Sequence, residues 1–270
     1  MVDVITNPIL KKLAGAKVLV IGDVVLDHFV WGEVDRISPE APVPIVRVLK
    51  EDDMPGAAAN VALNLASIDA KPVMLSVIGD DNDGNRLREL LLNNNVDCNY
   101  LKIDSGRKTT RKTRIIARSQ HVVRVDWDSK IDSDVISRHN ILSSIEKAMS
   151  DCEAVIVQDY NKGMIQQSVF DLLENADVPV IIDPNRYHSI KYFGTLATPN
   201  ADEAEILSGV NIGNDEVIDH LPEIADAIFK RNNLEKLIIT LSEKGLALCD
   251  KNGEIKKKLG YNNADYKRNF

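Results

Sequence analysis

Residues 153–184, EAVIVQDYNKGMIQQSVFDLLENADVPVIIDP, decide the fold. EAVIVQD (153–159) is a β-branched apolar run that reads as a strand. IQQSVFDLLENA (165–176) carries its apolar residues at helical spacing, and VPVIIDP (178–184) is a second apolar run. Two strands without polar alternation, joined by a helix, form the unit of a parallel sheet covered on both faces. The rhythm continues upstream with strands KVLVIGD (17–23) and KPVMLSVIGD (71–80) and helices over 56–68, 83–95 and 132–149. Downstream it predicts a short strand at TLATPN (195–200), a helix at ADEAEILSG (201–209) closed by Gly209, a helix over 214–233 kinked at Pro222, and a strand at EKLIITL (235–241). The expected class is α/β.

Two stretches break the rhythm. In 28–53, Pro39, Pro42 and Pro44 forbid helix and leave extended chain. In 98–128, TRKTRIIARSQHVVRVDWD alternates apolar and charged residues like a half-exposed hairpin. Together they predict a small β-sheet lid on the α/β core. The 270 residues carry 33 Lys+Arg against 41 Asp+Glu, a net charge of −8, which argues against nucleic acid as a partner. The longest apolar runs (18–21, 154–157, 178–182) fall far short of the ~20 residues of a membrane span. Cys98, Cys152 and Cys249 form no CxxC pair and suit a reducing compartment, so no membrane partner and a cytoplasmic location are expected.

Candidate site residues cluster where strands end, the place where parallel α/β sheets bind ligands. Asp23 and Asp27 in GDVVLD (22–27) suit sugar hydroxyls or turn and cap chemistry. PGAAAN (55–60) offers bare backbone at Gly56 and the Asn60 amide, or merely small residues for close packing. Lys112, Arg114, Arg118 and Arg124 share strand parity with Gln120, so they can face one way and receive a phosphate, or form a solvated polar face. In TPNADEAE (198–205), Asn200 and Glu203 open a helix, as a phosphate or hydrated Mg2+ site or as an ordinary cap. Lys162 in DYNKG follows a strand, and TLSEKG (240–245) places Thr240, Ser242 and Gly245 at a nucleotide edge or a hairpin turn.

Each motif is weak alone, but their order is specific. GDVVLD, RISPEAPVP (36–44), PGAAANVALNLAS (55–67), the K-x-R hairpin, DYNKG, IIDPN (181–185), TPNxxE and TLSEKG resemble the ribokinase-like (PfkB) carbohydrate kinases. Within these the run looks most like the D-glycero-β-D-manno-heptose-7-phosphate kinases. The resemblance covers roughly 15–250 and implies a three-layer α/β/α sandwich with a β lid, Mg-ATP as phosphoryl donor and a phosphorylated heptose as acceptor on the route to ADP-heptose and lipopolysaccharide. By position it assigns Asp23, Asp27, Gly56 and Asn60 to the sugar, and Lys112, Arg114 and Arg118 to its phosphate. It assigns Lys162, Asn200, Ala201, Asp202, Glu203, Thr240, Ser242 and Gly245 to the nucleotide, with Glu203 at the metal. It also implies a homodimer through the lid.

Three departures stand out. Ala57 replaces a frequent second Gly, and Asn185 a frequent Lys. The family's D-T-G-A-G-D segment, whose last Asp is the catalytic base, does not occur within the 270 residues; by spacing it would begin beyond Phe270. The base contributes roughly 10²–10⁴ in rate and the anion-binding helix start roughly another 10²–10³, so little or no turnover is expected of these residues alone. GEIKKKLGYNNADYKRNF (253–270) is Asn- and Lys-rich where an apolar strand belongs. A one-base frameshift near Lys256–Lys258 is one reading, because the shifted codons permit an Ile/Thr-rich run; chance degeneracy of the code is the other. The expected organisation is a kinase domain over 1–253 and an aberrant tail over 254–270, out of frame on the first of these readings.

Overall fold

The computed structural model describes residues 8–118, 120–128, 133–185, 190–212 and 216–258. The chain divides into two compact units: one runs to Asp151 and includes Lys162–Met164, the other holds Cys152–Asn161 and the chain from Ile165.

The first unit contains α1 (Pro8–Leu13), β1 (Lys17–Gly22), β2 (Val24–Ile37), β3 (Pro44–Ala57), α2 (Ala58–Ser67), β4 (Lys71–Gly79), α3 (Asn82–Asn93), β5 (Asp97–Asp104), β6 (Arg111–Ala117), β7 (Gln120–Trp127), α4 (Ser133–Arg138) and α5 (Ile141–Met149). β4 pairs in parallel with β1 on one side and β5 on the other. Val20, Met74 and Ile78 of these strands bury against Ala58, Ala59 and Ala62 of α2 and Leu87 and Leu91 of α3. The alanines let α2 lie close on the sheet, which is the packing role its small residues suggested. Asp81 starts α3 by accepting a hydrogen bond from the Gly84 amide at 2.8 Å.

A second, four-stranded sheet has the order β3-β2-β6-β7. β2 pairs antiparallel with β3 and parallel with β6, and β6 pairs antiparallel with β7. This is the sheet expected from 28–53 and 98–128, with two corrections. Residues 97–104 are not part of it, because β5 joins β4 in the parallel sheet. The shared parity also fails beyond Arg114. An irregularity between Ile115 and Ile116 sets Gln120 opposite Ala117, on the face opposite Lys112. Arg118 lies past the strand end with a positive φ of 48°.

The second unit contains β8 (Ala154–Gln158), α6 (Gln167–Leu173), β9 (Val180–Asp183), β10 (Phe193–Ala197), α7 (Ala201–Ser208), α8 (Leu221–Arg231), β11 (Asn233–Thr240), β12 (Leu246–Asp250) and β13 (Ile255–Lys258). β8 through β11 are parallel neighbours, and β12 and β13 continue the order antiparallel. Gly209 closes α7 in the left-handed conformation, φ 64°. Pro222 does not kink a long helix; it occupies the first turn of α8, where its missing N–H costs nothing. The helix read over 132–149 is two helices, separated at Asn140, φ 50°. Of the tail, Ile255–Lys258 pairs with β12, and 259–270 lie outside the described residues.

Ala57 carries backbone strain. It sits between β3 and α2 at φ 54°, ψ −130°, a region nearly reserved for glycine. The strain costs about 1–3 kcal/mol, against about 0.5–1 kcal/mol of extra chain entropy lost by glycine. Ala57→Gly is therefore expected to stabilise the protein by about 1 kcal/mol in denaturant unfolding. An unchanged or lower midpoint would show that the neighbouring strand absorbs the strain.

Candidate active site

In the first unit, β2 brings Asp27 to the register position beside Lys112 of β6, and Phe29 beside Arg114. Neighbours in register share a face, so Asp27, Phe29, Lys112 and Arg114 face one way. The Arg114 Nη1 donates to Asp27 Oδ1, and its guanidinium lies 5.3 Å from the Phe29 ring centroid. Asp27 Oδ2 rests on Gly56, where a Cβ would collide with it. Lys112 makes no ion pair among the described residues. Asn60 sits on the first turn of α2, exposed to solvent.

Asp23 plays a different part. It is 3% exposed, and its two carboxylate oxygens accept from the backbone amides of Lys162 (3.0 Å) and Met164 (3.1 Å). It thus anchors the 162–164 strap rather than offering a free carboxylate. The Lys162 ammonium pairs with Asp128 at 2.7 Å. Arg118, expected at the substrate phosphate, pairs with Asp35 at 3.5 Å and is 73% exposed.

In the second unit, a cleft of about 520 Å³ is lined by Gln158, Asp159, Asp183, Asn200, Glu203 and Thr240, among others. The residues come from the carboxyl ends of β8 and β9, the start of α7 and the end of β11. Asn200 and Glu203 form a complete capping box: Asn200 Oδ1 accepts the Glu203 amide and Glu203 Oε2 accepts the Asn200 amide, each at 2.9 Å. Asp183 has its carboxyl pushed up to about 6, first by burial and then by the Glu203 and Asp159 charges, against hydrogen bonds from Thr198 and Gln158. Asp159 Oδ2 accepts from the Tyr192 hydroxyl at 3.2 Å. Asp159 and Asp183 were not singled out from the sequence, although both end apolar strands.

A second cleft of about 280 Å³ lies on the other flank of α7. Ala201, Asp202, Ser242 and Lys244 line it together with apolar Ile212, Val217, Ile218 and Leu241. Thr240 belongs to the carboxylate cleft and Ser242 to this one. Gly245, at φ 98°, closes the β11–β12 turn, and its carbonyl accepts the Leu241 amide at 2.8 Å.

No three His, Cys, Asp or Glu groups among the described residues stand close enough to hold a metal by themselves. The donor set still fits a hydrated Mg2+, which usually takes one or two carboxylates and completes its shell with water and phosphate oxygens. Burial raises Asp183 first and the Glu203 and Asp159 charges add to it, a repulsion that a cation in the cleft would relieve. No described helix is long and apolar enough to cross a membrane.

Phosphofructokinase-2 from Escherichia coli, in complex with substrates and products, superposes with a TM-score of 0.67 over 91% of this chain and 78% of that one, at 15% identity. Arabidopsis thaliana ribokinase, complexed with ribose and ATP, gives 0.62 over 91% and 78%, at 17% identity. These likenesses define a ribokinase-like α/β fold. The profile of the pfkB family carbohydrate kinases matches residues 16–258, and the chain belongs to that family. The bifunctional protein HldE of Actinobacillus succinogenes is 40% identical over 241 residues, 88% of this chain and 49% of the relative. That of Haemophilus influenzae is 38% identical over 242 residues, again 88% and 49%. The chain thus spans about half the length of the curated relatives it matches.

Proposed function

We propose that this kinase domain transfers the ATP γ-phosphoryl to the anomeric hydroxyl of D-glycero-D-manno-heptose 7-phosphate, in cytoplasmic synthesis of ADP-heptose for lipopolysaccharide. The observation that carries the reading is the row Asp27, Lys112 and Arg114 on one sheet face. It sets a carboxylate for sugar hydroxyls beside two cations that an unphosphorylated sugar would not need. Similarity to the HldE proteins points the same way.

The residues divide the work. Asp27 accepts hydroxyl protons, Gly56 keeps that carboxylate in place, and Asn60 reaches the sugar from α2. Lys112 and Arg114 hold the substrate phosphate. Ile212, Val217, Ile218 and Leu241 cover the base of the nucleotide, with Ala201, Asp202 and Ser242 at its edge. Asp183 and Glu203 would hold hydrated Mg2+, which when bound would neutralise charge on the phosphates, with Asp159 lining the same cleft. Phosphoryl transfer of this kind depends mainly on positioning and charge neutralisation. No described residue is assigned as the general base.

Isothermal titration tests the reading. Heptose 7-phosphate should bind at least about tenfold more tightly than free heptose, the worth of one charge-assisted phosphate contact. Mg-ATP should bind independently, with little ADP release. Equal affinity for heptose and its 7-phosphate, or preference for another sugar, would sink it. We also infer that two copies pair through exposed apolar residues of the four-stranded sheet, Ile37, Val48 and Leu49 among them; light scattering that gives a monomer would refute that.

A further inference from the structure

In the free protein the carboxylate best placed for sugar hydroxyls is already bound to the cation best placed for the sugar's phosphate. Arg114 Nη1 donates to Asp27 Oδ1, and both side chains are only about one-fifth exposed (22% and 21%). Asp27 cannot step aside toward β3, because Oδ2 already abuts Gly56. Arg114 can move. Its guanidinium lies over the Phe29 ring at 5.3 Å from the centroid, an electrostatic contact that fixes no single hydrogen-bond partner. Phe29 is in turn stacked on Trp31, 6.1 Å between centroids.

The charges around Arg114 favour an exchange of anions. Across β6–β7 its register partner is Arg124, a like charge on the same face. Arg124 is engaged by Asp126 at 2.9 Å, which leaves Asp27 as the one acid hydrogen-bonded to Arg114 among the described residues. Lys112, on the same face and beside Asp27, has no ion-pair partner among the described residues. A phosphate monoester carries about −1.5 to −2 charges and three acceptor oxygens at neutral pH. It satisfies the guanidinium fork and Lys112 together, which a single carboxylate does not.

We propose that Arg114 is an exchange clamp that makes recognition of the sugar conditional on its phosphate. Without phosphate, Arg114 occupies Asp27. A phosphate arriving at Lys112 draws the guanidinium across, and Asp27 becomes free to accept hydrogen bonds from the sugar hydroxyls. An unphosphorylated sugar must break a charge-assisted pair with neutral donors and is rejected. This inference rests on the sugar-phosphate reading above. It adds that the phosphate and sugar contributions are cooperative, and coupling between two ligands is reciprocal.

Calorimetry without ATP tests the clamp, using wild type, Arg114→Gln and Arg114→Lys with heptose, heptose 7-phosphate, inorganic phosphate, and heptose in saturating inorganic phosphate. Wild type should bind heptose at least about fivefold more tightly when inorganic phosphate is present, within the usual range of coupling. Arg114→Gln should bind free heptose more tightly than wild type, lose heptose 7-phosphate affinity by about tenfold or more, and show no phosphate effect. Arg114→Lys should retain part of the coupling. If wild type prefers heptose 7-phosphate but shows no synergy, and Arg114→Gln does not improve heptose binding, the clamp is wrong while the function stands. If wild type does not prefer the phosphorylated sugar, both fall. Should the Arg114 variants not fold, wild-type synergy alone decides.

Discussion

Asp183→Asn is expected to make the protein more stable at pH 7.5 and to remove most of its stabilisation by Mg2+. The Asp183 carboxyl, ordinarily near 3.8, is pushed up to about 6 by burial and by the Glu203 and Asp159 charges. Its folded pKa thus lies above its unfolded one. Between about pH 4 and 6 the native state binds the extra proton, so this group's contribution to stability falls as pH rises. The loss is complete above pH 6 and amounts to at most about 3 kcal/mol, at 1.36 kcal/mol per unit. Asparagine has the same shape without the charge and escapes the penalty. Mg2+ relieves the same repulsion in the wild type and so has less to offer the variant. Calorimetric melts of both proteins at pH 4.5, 6 and 7.5, with and without Mg2+, separate the cases. Wild type should gain from Mg2+ mainly above pH 6, and the variant should be nearly flat. Equal melting points at pH 7.5 and an undiminished Mg2+ effect would show that the cleft carboxylates do not form the metal site.

Phe170→Ala is expected to cost about 3–5 kcal/mol, the usual range for emptying a buried aromatic site. That is roughly a fifth or more of the 5–15 kcal/mol stability of an ordinary domain. Phe170 is fully buried and meets the Tyr192 ring edge-on, 5.1 Å between centroids. Tyr192 is itself 1% exposed. Its hydroxyl donates to Asp159 and accepts the Asn185 amide at 3.1 Å. Burial and then the Asp159 charge push its phenol far up, so it stays a proton donor. Loss of Phe170 therefore reaches the carboxylate cleft through one packed ring. Tyr192→Phe separates the two effects: it keeps the ring contact, costs about 1–2 kcal/mol, and should weaken Mg-ATP binding disproportionately. Urea unfolding followed in parallel with Mg-ATP titration checks both variants. A Phe170→Ala midpoint close to wild type would mean that Tyr192 collapses into the space.

The α/β alternation was legible because it is written in local signals. Apolar β-branched runs mark β1, β4, β8 and β9, and Gly209 ends α7 where a left-handed residue was needed. The same holds for Asn200 and Glu203, whose cap and proposed site lie within four residues of chain. Errors arose where a distant partner decided. Nothing within residues 97–104 says that they pair with β4 rather than with a hairpin. A single irregularity in β6–β7 turned Gln120 away and left Arg118 in a turn, since one residue of slip reverses every later side chain. Pro222 could be read as a kink or a start; the 3₁₀ turn at Val217–Asp219 made it a start.

The site shows the same division. The sequence by itself determined the residue types, the order of its motifs and the ends of strands at which chemistry collects. Only the tertiary structure decided how those residues are spent. It buried Asp23 as an anchor, bound Asp27 to Arg114, and set Asp159, Asp183 and Glu203 around one cleft. Hydrogen bonds and charge repulsion act over a few ångströms in space. Their partners here lie as far apart in sequence as Asp23 and Met164, a separation of 141 residues, and no local pattern encodes that distance.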